Sequence, residues 1–471
     1  MGIHHIDREH PEYLANKAVW KRYRDLYAGG EQLRQNASEY LVRRSKEPND
    51  VYFERLGRVF YQNYIGSIID WFTATLLRRE PELHFEGSND SARTFFEGFV
   101  QNCDLKGTTL SQFFRNQMTQ TLVFGKSYFV VDFPRVESEV KNRAEEDALG
   151  RSSAYLVEYL PQDVINWSHD RSGQLEWIVI RTSYLRQASV RDENWRRETQ
   201  WIYYDRESFE IYVEGEPNKG KSNQIELIAS GLHGFASQHR VPVFEMKVSD
   251  GLWLMNKGAL LQLEHFNKSN ALSWALTMGL FATPVIYSER EWDQIVGESY
   301  YIQLGPDDKF GWAEPAGHTY QIASDNIVRL KDEIYRVCYL MSQAGGSQSS
   351  NMAQSGLSKQ RDFGVTQEIL RSYGDTVKDT MRHMIDAIAT ARQDGMGIDV
   401  SGLDEFDIGD FSAELSDAKG LLALGIESET LKKQLFKNIA LKYFCDSRQE
   451  LKNRITAEID ASFAQLPQKV G

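Results

Sequence analysis

The most constraining feature of this sequence is the stretch from Leu357 to Arg392. There Phe363, Leu370, Tyr373, Val377, Met381, Met384 and Ile388 recur at spacings of three, four and seven residues. That recurrence puts seven apolar side chains on one stripe of a single α-helix, roughly 50 Å long at 1.5 Å per residue. A helix of that length needs partners along most of its stripe, so the rest of the chain must pack along it. Gly364 and Gly374 are the two positions at which it could bend.

What precedes the helix is equally distinctive. "AGGSQSSNMAQSG", Ala344 to Gly356, is charge-free in a chain that is 26% charged. Such loops commonly carry or face something. Before it, Asp325 to Gln343 places Ile327, Leu330, Ile334, Val337 and Met341 on one helical face, and Met255 to Leu280 reads as a further helix. Between those two helices lies an insert, Phe281 to Ser324. It carries seven acidic residues against Arg290 and Lys309, with Tyr287, Trp292, Tyr300, Tyr301, Phe310 and Trp312 among them. A segment this short and aromatic can barely build its own core, so its apolar surface is expected to be covered by another copy or a partner.

The remaining chain supplies an α+β body. Glu12 to about Leu77 is helically patterned, with "VWKRYRDLYAGG" ending in glycines suited to a helix stop. "SARTFFEGFVQNC" and "TLSQFFRNQMTQTLVFG" predict two more helices, and "KSYFVVDFP" a strand. After the charged stretch Val136 to Ser153, the runs "AYLVEYLPQDVINW", "LEWIVIRTSYL", "TQWIYYD", "SFEIYVEG", "IELIAS" and "RVPVFEMKV" predict an antiparallel β block. From about Phe411 the tail is helical again, with Ser428 as an N-cap and Asp446 and Gln449 resembling a capping box.

Composition excludes several classes of function. The 471 residues are 41% hydrophobic, enough for about two to four domain-sized units, and 10 Trp, 22 Tyr and 24 Phe argue against disorder. Cys103, Cys338 and Cys445 are odd in number and far apart, which fits reduced core thiols and not a disulfide framework. The N-terminus lacks the apolar run of a secretory signal. Ala271 to Tyr287 is uncharged, but Gly279 and Pro284 interrupt it; a buried helix running into a strand is expected, and no membrane span. The net charge of −13 disfavours tight static binding to nucleic acid while leaving passage of DNA along the surface open.

The chemical motifs are weak. Gly125-Lys126-Ser127 matches the end of a phosphate-binding loop, but Gln120 stands where that motif needs glycine, and helix precedes strand; Gly125 reads better as a helix C-cap. His4, His5 and His10 lack metal-site spacing, and a mobile N-terminus is expected there. Asp404, Glu405, Asp407 and Asp410 could bind a divalent cation, though a solvated acidic turn explains them as well. No catalytic residue, cofactor or metal is expected.

The order of these elements resembles the portal proteins of tailed bacteriophages, the ring-shaped connectors at one capsid vertex. The stretches that carry the resemblance are "DLYAGGEQLRQNASEYL" with "YFERLGRVFYQNYIGSIID", "DLKGTTLSQFFRNQMTQTLVFGKSYFVVDFP", "AYLVEYLPQDVINW" with "LEWIVIR", and "SGLSKQRDFGVTQEIL". It implies a helix-rich wing with an antiparallel β block (1–254), stem helices at 255–280 and 325–343, and a clip at 281–324. A tunnel loop would follow at 344–356, then a long helix and wing return at 357–410 and a helical crown at 411–471.

It further implies a homo-oligomeric ring, usually of twelve copies, in the virion at the capsid portal vertex after assembly in the host cytoplasm. The implied partners are terminase, head-completion or adaptor proteins, the major capsid protein, and double-stranded DNA passing without sequence specificity. Membrane has no part in it. Gln348, Ser349, Ser350, Asn351, Met352 and Gln354 would face the channel. Trp292, Tyr300, Tyr301, Asp307, Asp308, Phe310 and Trp312 would form the docking surface of the clip. Two rival readings stay open: a hydrolase acting on nucleic acid or polysaccharide through the clustered acids, and another structural protein of a phage head or adaptor.

Overall fold

The structure is a computed structural model. It describes residues 5–86, 90–134, 152–187, 189, 195–214, 225–279, 283–287, 307, 309–313, 317–340, 356–395, 397–403, 406, 418–424, 428–443 and 449–464. The architecture is α+β, and every sheet pairing in it is antiparallel.

The N-terminal part is helical. Helix α1 (Pro11–Ala28) opens with proline in its first turn, where the missing N–H has no helical partner anyway, and stops at Gly29, whose φ of 57° lies in the left-handed region. Helices α2 (Gly30–Gln35), α3 (Asn49–Gly57) and α4 (Tyr64–Leu76) follow. The apolar periodicity across residues 51–77 reads as one continuous pattern, yet the chain leaves the helix after Gly57. It re-enters at Asn63, whose side chain caps α4 by accepting from the Gly66 amide at 2.9 Å.

Helices α5 (Asp90–Gln101) and α6 (Leu110–Phe124) come next. Thr109 caps α6 at its start, and Gly125, at φ 85°, closes it. Strand β2 (Lys126–Asp132) begins at once and lies between β3 (Tyr155–Tyr159) and β9 (Val243–Lys247). At the centre of this small sheet Phe129 stacks on Phe244 with ring centroids 5.4 Å apart and meets Phe113 and Phe114 of α6 edge-on.

A second sheet has the order β4 (Val164–His169), β5 (Leu175–Arg186), β6 (Arg196–Asp205), β7 (Ser208–Glu214), β8 (Ile225–Leu232). The run "AYLVEYLPQDVINW" therefore supplies strands to two different sheets. Pro161 has no N–H for a ladder, and Asp163 turns the chain there by accepting from the Leu160 amide at 2.9 Å.

Two long helices and a ribbon complete the frame. Helix α7 (Leu254–Gly279) leads into β10 (Thr283–Tyr287), which pairs with β11 (Lys309–Ala313) ahead of helix α8 (Gly317–Val337). A helix followed by a strand is found as expected, but the helix is not buried there: Ala271–Thr277 are half-buried or exposed, with Leu276 42% exposed, and no described helix is long and apolar enough to cross a membrane. Helix α8 starts eight residues before the expected Asp325, because nothing between Gly317 and Val337 breaks a helix.

Helix α9 (Gly356–Arg392) spans 37 residues, about 55 Å. Leu370, Tyr373, Val377, Met381, Met384 and Ile388 of its predicted stripe are fully buried, and Ile385 joins them. At its end Arg392 lies over the Phe95 ring at 3.7 Å and pairs with buried Asp394 at 2.9 Å. The chain then turns back so that β12 (Gly397–Ser401) pairs with β1 (Glu82–Glu86). Helices α10 (Glu429–Tyr443) and α11 (Gln449–Ala464) form the helical tail, and Ser428 caps α10 through the Leu431 amide at 3.2 Å.

Candidate channel and docking elements

The α7–ribbon–α8 unit is held to the body by polar side chains that sequence patterning does not reveal. Three amides on α7 bond to the backbone of connecting segments and, at Ile65, of the first turn of α4. Buried Gln262 accepts from the Ile65 amide at 3.2 Å and donates to the Gln62 carbonyl at 2.8 Å. Asn267 accepts from the Val42 amide at 2.8 Å and donates to the Tyr40 carbonyl at 3.1 Å. Asn270 bonds both backbone groups of Phe60, at 3.1 and 3.0 Å. Each amide replaces a ladder partner for a connecting segment, so α7 fixes the chain around α3 and α4 as a strand would.

The two helices also bond to each other. Lys268 donates to Asn326 at 2.8 Å and pairs with Glu264 at 3.0 Å. Arg336 pairs with Glu333, and Lys257 donates to the Tyr339 hydroxyl at 2.8 Å. Lys268, Lys331 and Arg336 thus have carboxylate partners within the chain, which weakens their hold on phosphate.

At the C-terminal end of α8, Tyr339 takes a left-handed φ of 63°, rare for a bulky residue. Its hydroxyl donates to the Gly251 carbonyl at 3.0 Å, and its carbonyl accepts from buried Thr366 of α9 at 2.6 Å. This residue ties the end of α8 to α9 on both sides of the charge-free segment. Nothing in the sequence marks a tyrosine for that conformation.

The expected site residues fall as follows. Gln348, Ser349, Ser350, Asn351, Met352 and Gln354 lie outside the described residues, as do Trp292, Tyr300, Tyr301 and Asp308. Asp307 is exposed. Phe310 and Trp312 lie on β11, in register with Ile286 and Pro284 of β10. The structure therefore brings two of the aromatic clip positions onto one ribbon.

The weaker motifs also resolve. Gly125 is the C-cap, and the Ser127 hydroxyl is buried 2.8 Å from that of Thr121, turned into the core and away from any phosphate. Lys126 sits over the Trp167 ring at 4.9 Å. His10 contradicts the expected mobile N-terminus. It caps α1, stacks on Trp167 with centroids 4.2 Å apart, and its amide bonds to the Ile165 carbonyl at 2.8 Å, because the chain start closes the β4 edge. Asp404, Glu405, Asp407 and Asp410 lie outside the described residues, and no metal-competent cluster of acids, His and Cys occurs among the described ones.

No family model matches the chain, and no curated protein matches it. Among solved structures it is similar to a chain of the neck of an empty GTA particle computed with C6 symmetry, at 12% identity and TM-score 0.44, over 78% of this chain and 87% of that one. A chain from the virion of a native gene transfer agent particle is similar at 12% identity and TM-score 0.41, over 83% and 93%. A chain from the neck of a native GTA particle computed with C12 symmetry gives 12% identity and TM-score 0.40, over 84% and 94%.

Proposed function

We propose that the chain is the subunit of a portal-type ring, a structural conduit for double-stranded DNA at one vertex of a phage-like particle. The observation that supports this reading is the succession of α7, the β10–β11 ribbon, α8, a charge-free segment and the 37-residue α9. Two helices joined by a ribbon give a stem with a clip at its end. The uncharged segment between α8 and α9 gives a loop whose hydrogen bonds to passing phosphate are weak and exchangeable.

In this reading the wing comprises 1–254 with 357–410, the stem α7 and α8, and the clip the ribbon with its flanking residues. The tunnel loop is 344–356 and the crown 411–471. The clip would dock terminase during packaging and adaptor proteins afterwards. The net charge of −13 per chain, repeated around a ring of twelve, would keep the DNA from sticking to the wall. The protein supplies geometry and electrostatics, and hydrolysis belongs to the motor.

Negative-stain imaging of the purified full chain tests the proposal. Rings with a central channel are expected; a uniform monomer across salt and concentration overturns it.

A further inference from the structure

The five-stranded sheet ends in two surfaces that its own chain leaves uncovered. Strand β8 is an edge, and its outer side has no strand partner among the described residues. Leu227, Ile228 and Leu232 on it are 45%, 57% and 74% exposed, and a register shift places Ile228 outside the regular ladder. The opposite edge, β4, is closed by the His10 amide on the Ile165 carbonyl.

The second surface is the tip of the β5–β6 hairpin. Pairing of β5 with β4 stops at Ile180, and pairing of β6 with β7 begins at Gln200. Ser183–Arg186 and Arg196–Thr199 therefore pair with each other beyond the body of the sheet. Tyr184, Leu185 and Trp195 are exposed there. A two-stranded ribbon alone is only marginally stable in water, and open edges and exposed apolar side chains both favour an added strand.

Charge selects the partner. From Thr182 to Thr199 the sequence carries Arg186, Arg191, Arg196 and Arg197 against Asp192, Glu193 and Glu198, a net of +1. Strands β7 and β8 carry Glu210, Glu214 and Glu226 with no Lys or Arg. Tip against tip, or edge against edge, would set like charges opposite each other; tip against edge sets opposite charges together. Within one chain β5 and β8 stand three strands apart, about 14 Å, so the two halves cannot meet.

We infer that the β5–β6 tip of one copy adds to the β8 edge of the next, as one head-to-tail contact between copies of this chain. The contact is heterologous and so propagates around a ring or along a filament. It names a contact for the assembly proposed above and to that extent rests on that reading.

The test uses full-length Leu185→Cys and Ile228→Cys chains, each with Cys445→Ser, treated with a short bismaleimide alone and after co-expression. A crosslinked dimer is expected from the co-expressed pair and from neither variant alone. Glu226→Lys should reduce that product about threefold, and adding Arg197→Glu should restore it. Crosslinking within either single variant, or none in the pair, overturns the contact. Imaging the same samples separates the two ideas: rings without the crosslink reject this contact alone, and the crosslink without rings rejects the portal reading alone.

Discussion

Gly374, near the middle of α9, faces the backbone of Leu403 so closely that a Cβ on it would lie 2.1 Å from the Leu403 carbonyl oxygen. Leu403 itself is buried, with a φ of 60°. The glycine therefore lets the return segment after β12 lie directly on the long helix. Gly374→Ala should push the two apart and destabilise the fold by at least about 2 kcal/mol, as overpacking does. Gly364→Ala, where a Cβ meets nothing within 4 Å, should be neutral or slightly stabilising. Urea melts of both variants check the contrast, and equal effects would reject it.

Gln262 is the second lever. Removing its amide strands the Ile65 N–H and the Gln62 carbonyl, and each unpaired group costs about 1–3 kcal/mol. Gln262→Met keeps the volume and should still lose about 3 kcal/mol, whereas exposed Gln321→Met should lose almost nothing. Denaturant midpoints at constant slope measure this.

These two residues also show how far the sequence can be read. The stripe on α9, the runs that become strands β5 to β8 and the Gly125 stop follow from local periodicity and turn chemistry, and each is legible without coordinates. Gly374 looked like a hinge because a lone glycine in a helix signals either bending or close approach, and the residue that approaches lies 29 positions on. Gln262, Asn267 and Asn270 looked like ordinary polar positions because their backbone partners are some 200 residues away. The β1–β12 pairing is hidden for the same reason. Phe310 and Trp312, expected in the clip insert, lie on a ribbon that the sequence does not announce, and Tyr339 stayed unread because its role depends on a backbone conformation its side chain does not announce.

Acid should unfold the protein in two stages. His265 is 1% exposed, sits edge-on to Tyr64 with ring centroids 5.0 Å apart, and its Nε2 has no partner among the described residues. Burial, with help from Lys331, pushes its pKa below the ordinary value, and burial does the same to His233. A lowered histidine pKa means the unfolded chain takes the proton first. That stability is present above about pH 6.5 and is lost as pH falls below it. Burial pushes the Glu47 carboxyl up, but hydrogen bonds from Arg55 and the Arg44 amide outweigh this and hold it below its usual value. Its contribution is present above the usual carboxylate range and is lost as pH falls through it. Urea midpoints from pH 8 to 3 should show both declines, and His265→Leu should flatten the upper one.

The two described thiols should be inert in the native protein. Cys103 and Cys338 are fully buried, and burial pushes both pKa values up to about 12. Thiolate is the reactive form, so neither should react at neutral pH. Iodoacetamide followed by peptide mass spectrometry should label Cys103 and Cys338 only after denaturation. Native labelling of Cys338, which lies beside Gly258 at the α7–α8 junction, would mean that the junction opens.

The charge-free segment gives the sharpest functional prediction. Its flanks are anchored by Tyr339, through Lys257, the Gly251 carbonyl and Thr366, so changes within 344–356 should leave the helices in place. Gln348, Ser349, Ser350, Asn351 and Gln354 can offer only uncharged donors to phosphate, whereas arginine adds a cation and a bidentate fork. Ser349→Arg with Asn351→Arg adds two such groups per copy, and a ring multiplies them. Rings should form normally by imaging, while DNA packaged per particle falls, and raising salt should partly relieve the block. Normal packaging by normal rings would return the segment to a plain connector between α8 and α9.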